Sequence, residues 1–457
     1  MSTTTEIEKK YIDFYIDHKA ILDQQSSDIV NKHRTQAIEN FKFLGLPTSN
    51  DERYKYTNLS KVFDQNFDMR VGEQIVDLNV ESIFKCDVIR LDAYLALLAK
   101  GQYVTKERVV SHDESIIVCS LKEAAKKYSQ LFEKYYNQLA PQREDGVIEL
   151  NTALAFDGVF IYVPKGKVVD KPIQIVNLQV DGKENNAIQL RHLIVLEDRA
   201  EAKLIFCDDS LTSNEHLSSA VAEVFVGENA HLEMSKMQNE HNESRNISNT
   251  IVRQSAHSVV TSNTVSLLGG VIRNNLHIEM DGEYCEANAY GIALIDKAQK
   301  VDTFTYIHHA HPNCNSNQLY KNIIDDEAVG VFSGTVLVDK NAQKTNAFQA
   351  NNNIILTDKA KMNTKPQLVI YADDVKCSHG ATVGQLDENA MFYMRARGIE
   401  EKDAKMLLMY AFADDVIRKM SITSLRENTE DLVRRRLSGE LSLCRNCSSR
   451  ILMNSTL

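Results

Sequence analysis

The sequence has no tryptophan, no long apolar run and no surplus of positive charge. The last absence excludes the most. There are 52 Lys and Arg against 63 Asp and Glu, a formal net charge of −11, with the signs well mixed along the chain. A nucleic-acid binder needs a basic face to meet the phosphates, so this composition argues against one, and against an anionic membrane surface as partner. No apolar run approaches the roughly 20 residues of a membrane-spanning helix, so no membrane partner is expected. The opening segment, MSTTTEIEKKYIDFYIDHK, lacks the apolar centre of a signal peptide and the character of a transit peptide. No export route is visible in it, and a cytoplasmic protein is expected. The lack of tryptophan by itself excludes nothing.

Several enzyme signatures are also missing. No Gly-x-x-x-x-Gly-Lys-[Ser/Thr] occurs, and Gly166-Lys167 lacks that spacing, so the chain is not expected to hydrolyse ATP. There is no G-x-S-x-G elbow, H-E-x-x-H helix or dinucleotide fingerprint. Cysteines are present but scattered, at 86, 119, 207, 285, 314, 377, 444 and 447. In a large chain that pattern fits free thiols in a reducing compartment better than a disulfide framework.

What is there suffices for a large protein. The 457 residues, 43% of them apolar, can build an ordinary core and about two to four domains. Three regions differ in pattern: a mainly helical one over 1–146, a strand-rich one over 147–387, and a helical one with a tail over 388–457.

In the first region Ile7, Tyr11, Phe14, Tyr15 and His18 recur at helical steps, as do Ile29, His33, Ala37, Phe41 and Leu44. The second series stops at Gly45-Leu46-Pro47, a glycine-then-proline ending. The segment Asp51 to Leu59 reads as an amphipathic linker. Residues 66–118 alternate only weakly, through Ile83, Cys86, Val88, Ile89, Val109, Val110, Ile116 and Val118. Residues 120–139 predict one helix, with Leu121, Ala124, Ala125, Tyr128, Leu131, Tyr135 and Leu139 as a core-facing stripe.

From about 147 to 385, strand-like runs of four to six residues follow one another with almost no helical pattern between them. Five corners repeat a motif, an acidic or polar group followed by alanine, at Ala200, Ala230, Ala298, Ala342 and Ala360. Ala342 to Ala360 is 18 residues and Ala298 to Ala342 is 44, twice 22, so a period near twenty is expected. Short strands at such a period mark a β-solenoid, in which each coil buries its apolar face against its neighbours. An open sandwich is the alternative, but the two-residue hairpin signals it needs are mostly missing.

In the third region Ala404, Leu407, Leu408, Ala411, Phe412, Val416, Ile417 and Met420 form one apolar stripe, and Leu425, Leu432, Val433 and Leu437 mark a second helix. The simplest role for these helices is to close the last coil, since a stacked β-helix needs a cap.

Candidate chemistry is concentrated in Val375-Lys376-Cys377-Ser378-His379-Gly380. On a strand, Cys377 and His379 point to the same side. A thiolate and an imidazole so placed suit iron or a sulfur species. From residue types alone, a packed cysteine beside a hydrogen-bonded histidine is the simpler reading. In Tyr306 to Cys314, His309 and His311 would share a strand face with His308 opposite; metal binding is the minority reading there. Asn346 and Asn351–Asn353 read as stacked amide ladders at corners, and Asp373-Asp374 as a solvated strand end that fixes the following turn. Cys444-Arg445-Asn446-Cys447 is a lone C-x-x-C, without the two further ligands a zinc site needs; two free thiols in a tail is the simpler reading.

The segment TKPQLVIYADDVKCSHGATVGQLDENAMFYMRARGI resembles the SufB/SufD family of iron–sulfur cluster assembly proteins, and its wording matches the SufD branch. Asp51-Glu52-Arg53-Tyr54-Lys55-Tyr56-Thr57 is similar to an E-x-W-K-Y-T segment of that branch, with Tyr54 in place of tryptophan. The resemblance implies a mainly β protein with a right-handed parallel β-helix core flanked by N-terminal and C-terminal α-helical domains. It implies a non-catalytic scaffold subunit of the SUF complex, paired with SufB as a heterodimer and with the ATPase SufC, which carries the ATP and magnesium. It places His379, and Cys377 beside it, at a cluster-assembly interface as transient iron or sulfur ligands. No cofactor would be bound permanently. ATPase docking would fall on the C-terminal helices, at Arg395, Arg397, Gly398, Ala404, Leu407, Leu408, Ala411 and Phe412. A homodimer is an option for the isolated chain. Two alternatives stand beside it: a SufB-like primary scaffold, and a β-helix polysaccharide lyase or hydrolase, which would need a groove of clustered acids and exposed aromatics.

Overall fold

A computed structural model describes residues 4–64, 67–69, 71–72, 91–110, 112–180, 185–212 and 214–439. The helices before the solenoid are α1 (Glu6–Gln24), α2 (Asp28–Leu44), α3 (Leu59–Phe63), α4 (Leu121–Lys127), α5 (Ser129–Tyr135) and α6 (Gly146–Leu154). Those after it are α7 (Glu388–Ala396), α8 (Glu401–Ile417) and α9 (Thr423–Ser438). Thr5 and Glu8 form a reciprocal capping box at the start of α1, and Glu8 also accepts the backbone N–H of Leu46 at 2.8 Å. One carboxylate thus ties the start of α1 to the end of α2, where Gly45 adopts φ +65°. The single helix expected over 120–139 is broken at Tyr128 (φ −121°, ψ 41°). The break changes the phase of the apolar stripe, so Phe132 and Tyr136 are buried while Leu131 and Tyr135 are only partly covered.

The strands form two sheets. One runs β4 (Ile117–Ser120), β5 (Val159–Val163), β7 (Asn186–Leu196), β9 (His216–Val226), β11 (Ser244–Gln254), β13 (Val271–Met280), β15 (Lys300–His309), β17 (Val329–Val338) and β19 (Lys361–Ile370), with β1 (Asp68–Met69) beside β7. The other runs β3 (Gln102–Tyr103), β2 (Tyr94–Ala99), β6 (Ile173–Gln179), β8 (Glu201–Ser210), β10 (His231–Asn239), β12 (Val259–Leu268), β14 (Glu286–Ile295), β16 (Asn315–Ile324), β18 (Asn346–Ile355) and β20 (Lys376–Gly384). From β5 onward, successive strands alternate between the sheets and pair in parallel with the strand one coil away. This is the expected β-helix, with about seven coils and helices on either side of it in sequence. The pairs β2–β3 and β4–β5 are antiparallel.

The expected period of twenty is wrong. At the corner that leads from the first sheet to the second, six successive coils each place one residue in left-handed backbone angles: Arg199, Asn229, His257, Tyr284, Asn313 and Lys344, all with φ between 57° and 63°. By subtraction, successive members lie 30, 28, 27, 29 and 31 residues apart. Ala200, Ala230 and Ala342 lie at this corner, whereas Ala298 and Ala360 lie at the opposite one. Spacings of 44 and 18 residues are therefore about one and a half coils and a half coil. The long strands also span nine to eleven residues, about twice the apolar runs that announce them, because polar side chains continue into the interior.

Three layers result. The lumen is packed with aliphatic side chains such as Leu204, Val224, Met234 and Ile278. Helices α1, α2 and α6 cover the outer face of the first sheet through Tyr11, Phe41 and Leu150 against Ala187, Leu217 and Ile247. Helices α8 and α9 cover the outer face of the second through Met409, Ala413, Val416 and Leu432 against Met237, Val265 and Ile323. Each buried side chain of this kind contributes about 1.5–3 kcal/mol. The C-terminal helices therefore flank the solenoid, and the expectation that they close its last coil is corrected: β19 and β20 stay largely uncovered.

Two buried ion pairs pin the N-terminal elements. Arg191 meets Glu223 at 2.8 Å with both side chains fully buried, and Glu223 also accepts the backbone N–H groups of Asn137, Leu139 and Ala140. Arg273 meets Asp302 at 2.5 Å, stacks 4.6 Å above the ring of Tyr54, and donates to the carbonyl of Arg53 at 2.6 Å. Tyr54 is buried, and its hydroxyl donates to Asp145 at 2.6 Å. The segment read as a linker is thus a fixed strap across the first sheet. It reaches the last coil, where Glu52 pairs with Lys365.

Candidate functional site

The solenoid ends on β19 and β20. Register pairs Ala347 with Cys377 and Gln349 with His379. Pleat alternation turns both toward the lumen side, as expected from their two-residue spacing. Cys377 packs with Val336, Val338, Ala342, Ala347 and Ala372 and is half-buried. Burial pushes its thiol above the ordinary range, partly offset by a backbone hydrogen bond involving Ala347. His379 is exposed, although Gln318 and Gln349, its counterparts on the two preceding coils, are buried. Both polar atoms of the Gln349 side chain and Nε2 of Gln318 are buried without a hydrogen-bond partner among the described residues. A row of under-satisfied amides thus leads to the imidazole at the mouth.

The mouth itself is bare. Among the described residues, β20 pairs only with β18 and β19 only with β17. Around this edge Tyr371 is 64% exposed, and Ile370, Val383 and Phe348 also face solvent. An uncovered strand edge with apolar neighbours is a template for another chain.

The other candidates do not converge on a site. His309 is buried and bonded to Ser316 Oγ at 2.9 Å, and burial lowers its pKa to about 3. His308 faces outward and meets Asp339 at 3.0 Å, while His311 lies past the end of β15 and meets Asp281 at 3.4 Å. The strand ends before it can align His311 with His309. Among the described residues, no three or more His, Cys, Asp or Glu side chains cluster as metal ligands. The asparagines do form ladders, Asn346 Nδ2 to Asn315 Oδ1 at 2.9 Å and Asn322 Nδ2 to Asn353 Oδ1 at 2.6 Å, but within strands and not at corners. The Asp374 carbonyl accepts from Lys344 N at 2.7 Å and its own N–H donates to Gln343 Oε1 at 2.9 Å, which ties this strand end to the corner below. Cys444 and Cys447 lie outside the described residues.

The C-terminal helices split the expected docking residues. Ala404 is fully buried, Leu408 and Phe412 are half-buried, and Leu407 and Ala411 are exposed. The face actually covered is Ala404, Met409, Ala413, Val416, Ile417 and Met420. Arg395, Arg397 and Gly398 are exposed, and Gly398 needs its φ of +86° to end α7. Helix α7 buries none of its own residues, and Phe392 is 75% exposed. A groove of about 700 Å³ lies between α7, α8 and the last coils, lined by Arg395, Lys402, Lys405 and Met391 among others. The reading from sequence missed Tyr371, Phe392 and Tyr393. Their signal, aromatic residues beside the end of a stack, acquires meaning only once the end of the stack is known.

Two family models divide the chain at the start of the coils: the SufBD protein N-terminal region over residues 5–175, and the SUF system FeS cluster assembly SufBD core domain over 178–412. The chain belongs to the SufBD family. Among its relatives, an iron–sulfur cluster assembly SufBD family protein of Synechocystis is 31% identical, over 92% of this chain and 94% of the relative. The iron–sulfur cluster assembly protein SufD of Escherichia coli is 30% identical, over 88% and 92%. The SufD of Bacillus subtilis is 24% identical over 88% and 93%. In this SufBD chain the bare terminal coil, with Cys377 and His379 at its mouth, lies inside the core-domain match.

Proposed function

We propose that this chain is a SufD-type scaffold subunit whose terminal coil pairs with SufB, so that a transient iron–sulfur cluster is assembled between them. The observation that carries this reading is the uncovered coil: a strand edge, an apolar rim and two inward-side donors in one place. A cluster is typically held by four protein ligands, mostly cysteine thiolates. Cys377 and His379 offer at most two, so other donors would come from the partner. The cluster is cargo here, and no cofactor resides permanently in the chain. The strand edge also suits a second copy of the chain when SufB is missing.

ATP and magnesium belong to SufC, which docks on 388–440. Exposed Arg395, Arg397, Leu407 and Ala411 would meet it, while Ala404 and Phe412 hold α8 to the coils. Nucleotide-driven movement of these helices would then be transmitted to the adjacent last coils. The three-part division at 146/147 and 387/388 and a cytoplasmic location belong to the same reading.

Co-purification with SufB-like and SufC-like chains, with and without residues 388–440, tests the proposal. Capture of SufB by both forms, and of SufC only by the form with the helices, is expected. A chain that captures neither partner sinks the reading.

A further inference from the structure

Cys285 and Cys314 occupy the same corner position on neighbouring coils. Each follows its coil's left-handed residue, Tyr284 (φ 60°) or Asn313 (φ 63°), and each precedes a strand, at Glu286 or Asn315. Glu286 and Asn315 are in register, and Asn315 N donates to the Cys285 carbonyl at 2.9 Å. That pairing sets the two backbones one strand spacing apart, about 4.8 Å, inside the roughly 4.4–6.8 Å Cα separation of a disulfide. Both thiols are fully buried, and the Sγ atom of each lies 3.2 Å from the same carbonyl oxygen, that of Gly282. Gly282 is required there, since a Cβ would come 2.3 Å from the backbone nitrogen of Ala256 on the coil before.

The other described cysteines, Cys119, Cys207 and Cys377, lie on β4, β8 and β20, strands that are not neighbours in either sheet. At the equivalent corner position the other coils place Ala200, Ala230, Ser258, Thr345 and Val375. The mutual interaction is the largest influence on both thiols, raising Cys285 and lowering Cys314, so Cys314 is the first to become a thiolate. The cover over the pair is one corner, whose Tyr284 is about half exposed. Burial of both sulfurs beside this corner suits a small neutral oxidant better than a folded oxidoreductase.

We propose that Cys285 and Cys314 are a reversible dithiol–disulfide site that staples two adjacent coils when the protein meets hydrogen peroxide or another small peroxide. The Cys314 thiolate attacks the O–O bond and becomes a sulfenic acid, and the other peroxide oxygen leaves as hydroxide or alkoxide. The sulfur of Cys285 then attacks that of Cys314, the S–O bond breaks, and the departing oxygen takes the Cys285 proton and leaves as water. Two thiols lose two electrons and the peroxide gains them. A small dithiol reverses the bond by exchange. The closed loop runs from 285 to 314, 30 residues counting both cysteines.

The test oxidises the reduced full-length chain with hydrogen peroxide, alkylates the remaining thiols and digests it without reduction. The expected product is one peptide pair joined through Cys285 and Cys314, two hydrogens lighter than its reduced parts and separated again by dithiothreitol. The oxidised chain should also melt a few degrees higher, a gain absent in Cys285→Ser. Alkylated, unjoined Cys285 and Cys314 in a sample whose Cys377 has been oxidised would overturn the proposal. So would a joined pair that uses any other cysteine in place of these two, or an equal gain in melting temperature for Cys285→Ser and the unaltered chain.

Discussion

Gln349 and His379 occupy the same register position on neighbouring coils, yet one is 3% exposed and the other faces solvent. The same contrast holds along the whole of β18 and β20, of which the first is mostly covered and the second mostly bare. Backbone geometry and hydrogen-bond ladder are shared, so strand character does not make the difference. What differs is a neighbour. In a solenoid each coil is stabilised by the coils on either side. The terminal coil has one of the two, and the flanking helices lie beside it without covering it. A middle coil is therefore built for stability, and the last coil keeps its surface for something else.

The largest effect should come from breaking the covered region at its least replaceable point. Glu223→Ala leaves Arg191 as an uncompensated buried charge and strips three backbone N–H groups of their acceptor. A loss of about 3–5 kcal/mol in urea unfolding is expected. A loss below about 1 kcal/mol would mean that the covered region is not what holds the chain together.

Acid sharpens the same contrast. Burial holds His192, His277 and His309 down to about 3, below the ordinary histidine value near 6.5. In that window the unfolded chain binds protons that the native chain refuses. The stability is therefore complete above about pH 6.5 and is lost as pH falls toward 3, by up to about 1.4 kcal/mol per pH unit for each such histidine. Thermal midpoints measured from pH 7 to pH 4 should fall, and His277→Gln should flatten the slope.

A matched pair of substitutions then compares two histidines directly. His309→Ala removes the buried partner of Ser316 and should cost about 1–3 kcal/mol. His379→Ala should stay within about 0.5 kcal/mol while abolishing cluster assembly in the complex. Equal costs would erase the distinction between the covered and the bare coil. Amide exchange provides a finer scale: 361–384 should exchange faster than 231–268, and protection that does not decline toward the open end would contradict it. The smallest effect is expected from Val383→Lys, which should leave stability within about 0.5 kcal/mol; light scattering of the isolated chain at rising concentration should give a lower average mass for this variant than for the unaltered chain.

The solenoid was legible because short apolar runs, polar corners and missing hairpin signals all reflect the same backbone path. Its period was not, because the two corners of each coil use nearly the same residues. Asp-Lys-Ala at 296–298 and Glu-Asp-Arg-Ala at 197–200 look alike in sequence but lie on opposite edges. The orientation of Cys377 and His379 followed from alternation alone, since pleating needs no knowledge of neighbours. Their exposure did not follow, because it depends on a coil that is not there. Helix α8 was legible as a helix, but its covered side was not: Leu407 and Ala411 belong to the apolar pattern yet are exposed, while Met409 and Ala413 are buried. The strap at 51–57 was unreadable because the partners of Tyr54 and Thr57, namely Asp145, Arg273 and Asp302, lie about 90 to 245 residues away.

The column of left-handed corner residues has a consequence of its own. Arginine, asparagine, histidine, tyrosine, asparagine and lysine all occupy it, each held by a backbone hydrogen bond to the next coil, such as Arg199 N to Glu228 O at 2.8 Å and Lys344 N to Asp374 O at 2.7 Å. Non-glycine residues accept a strain of roughly 1–2 kcal/mol in this conformation, and the ladder bears it without asking for any particular side chain. The column is therefore a rack along one edge of the molecule, with one peg per coil at a pitch of about 4.8 Å. What hangs on each peg is free to change while the fold stays the same, so this edge can acquire a periodic pattern of charge or aromatic rings at no cost to the core.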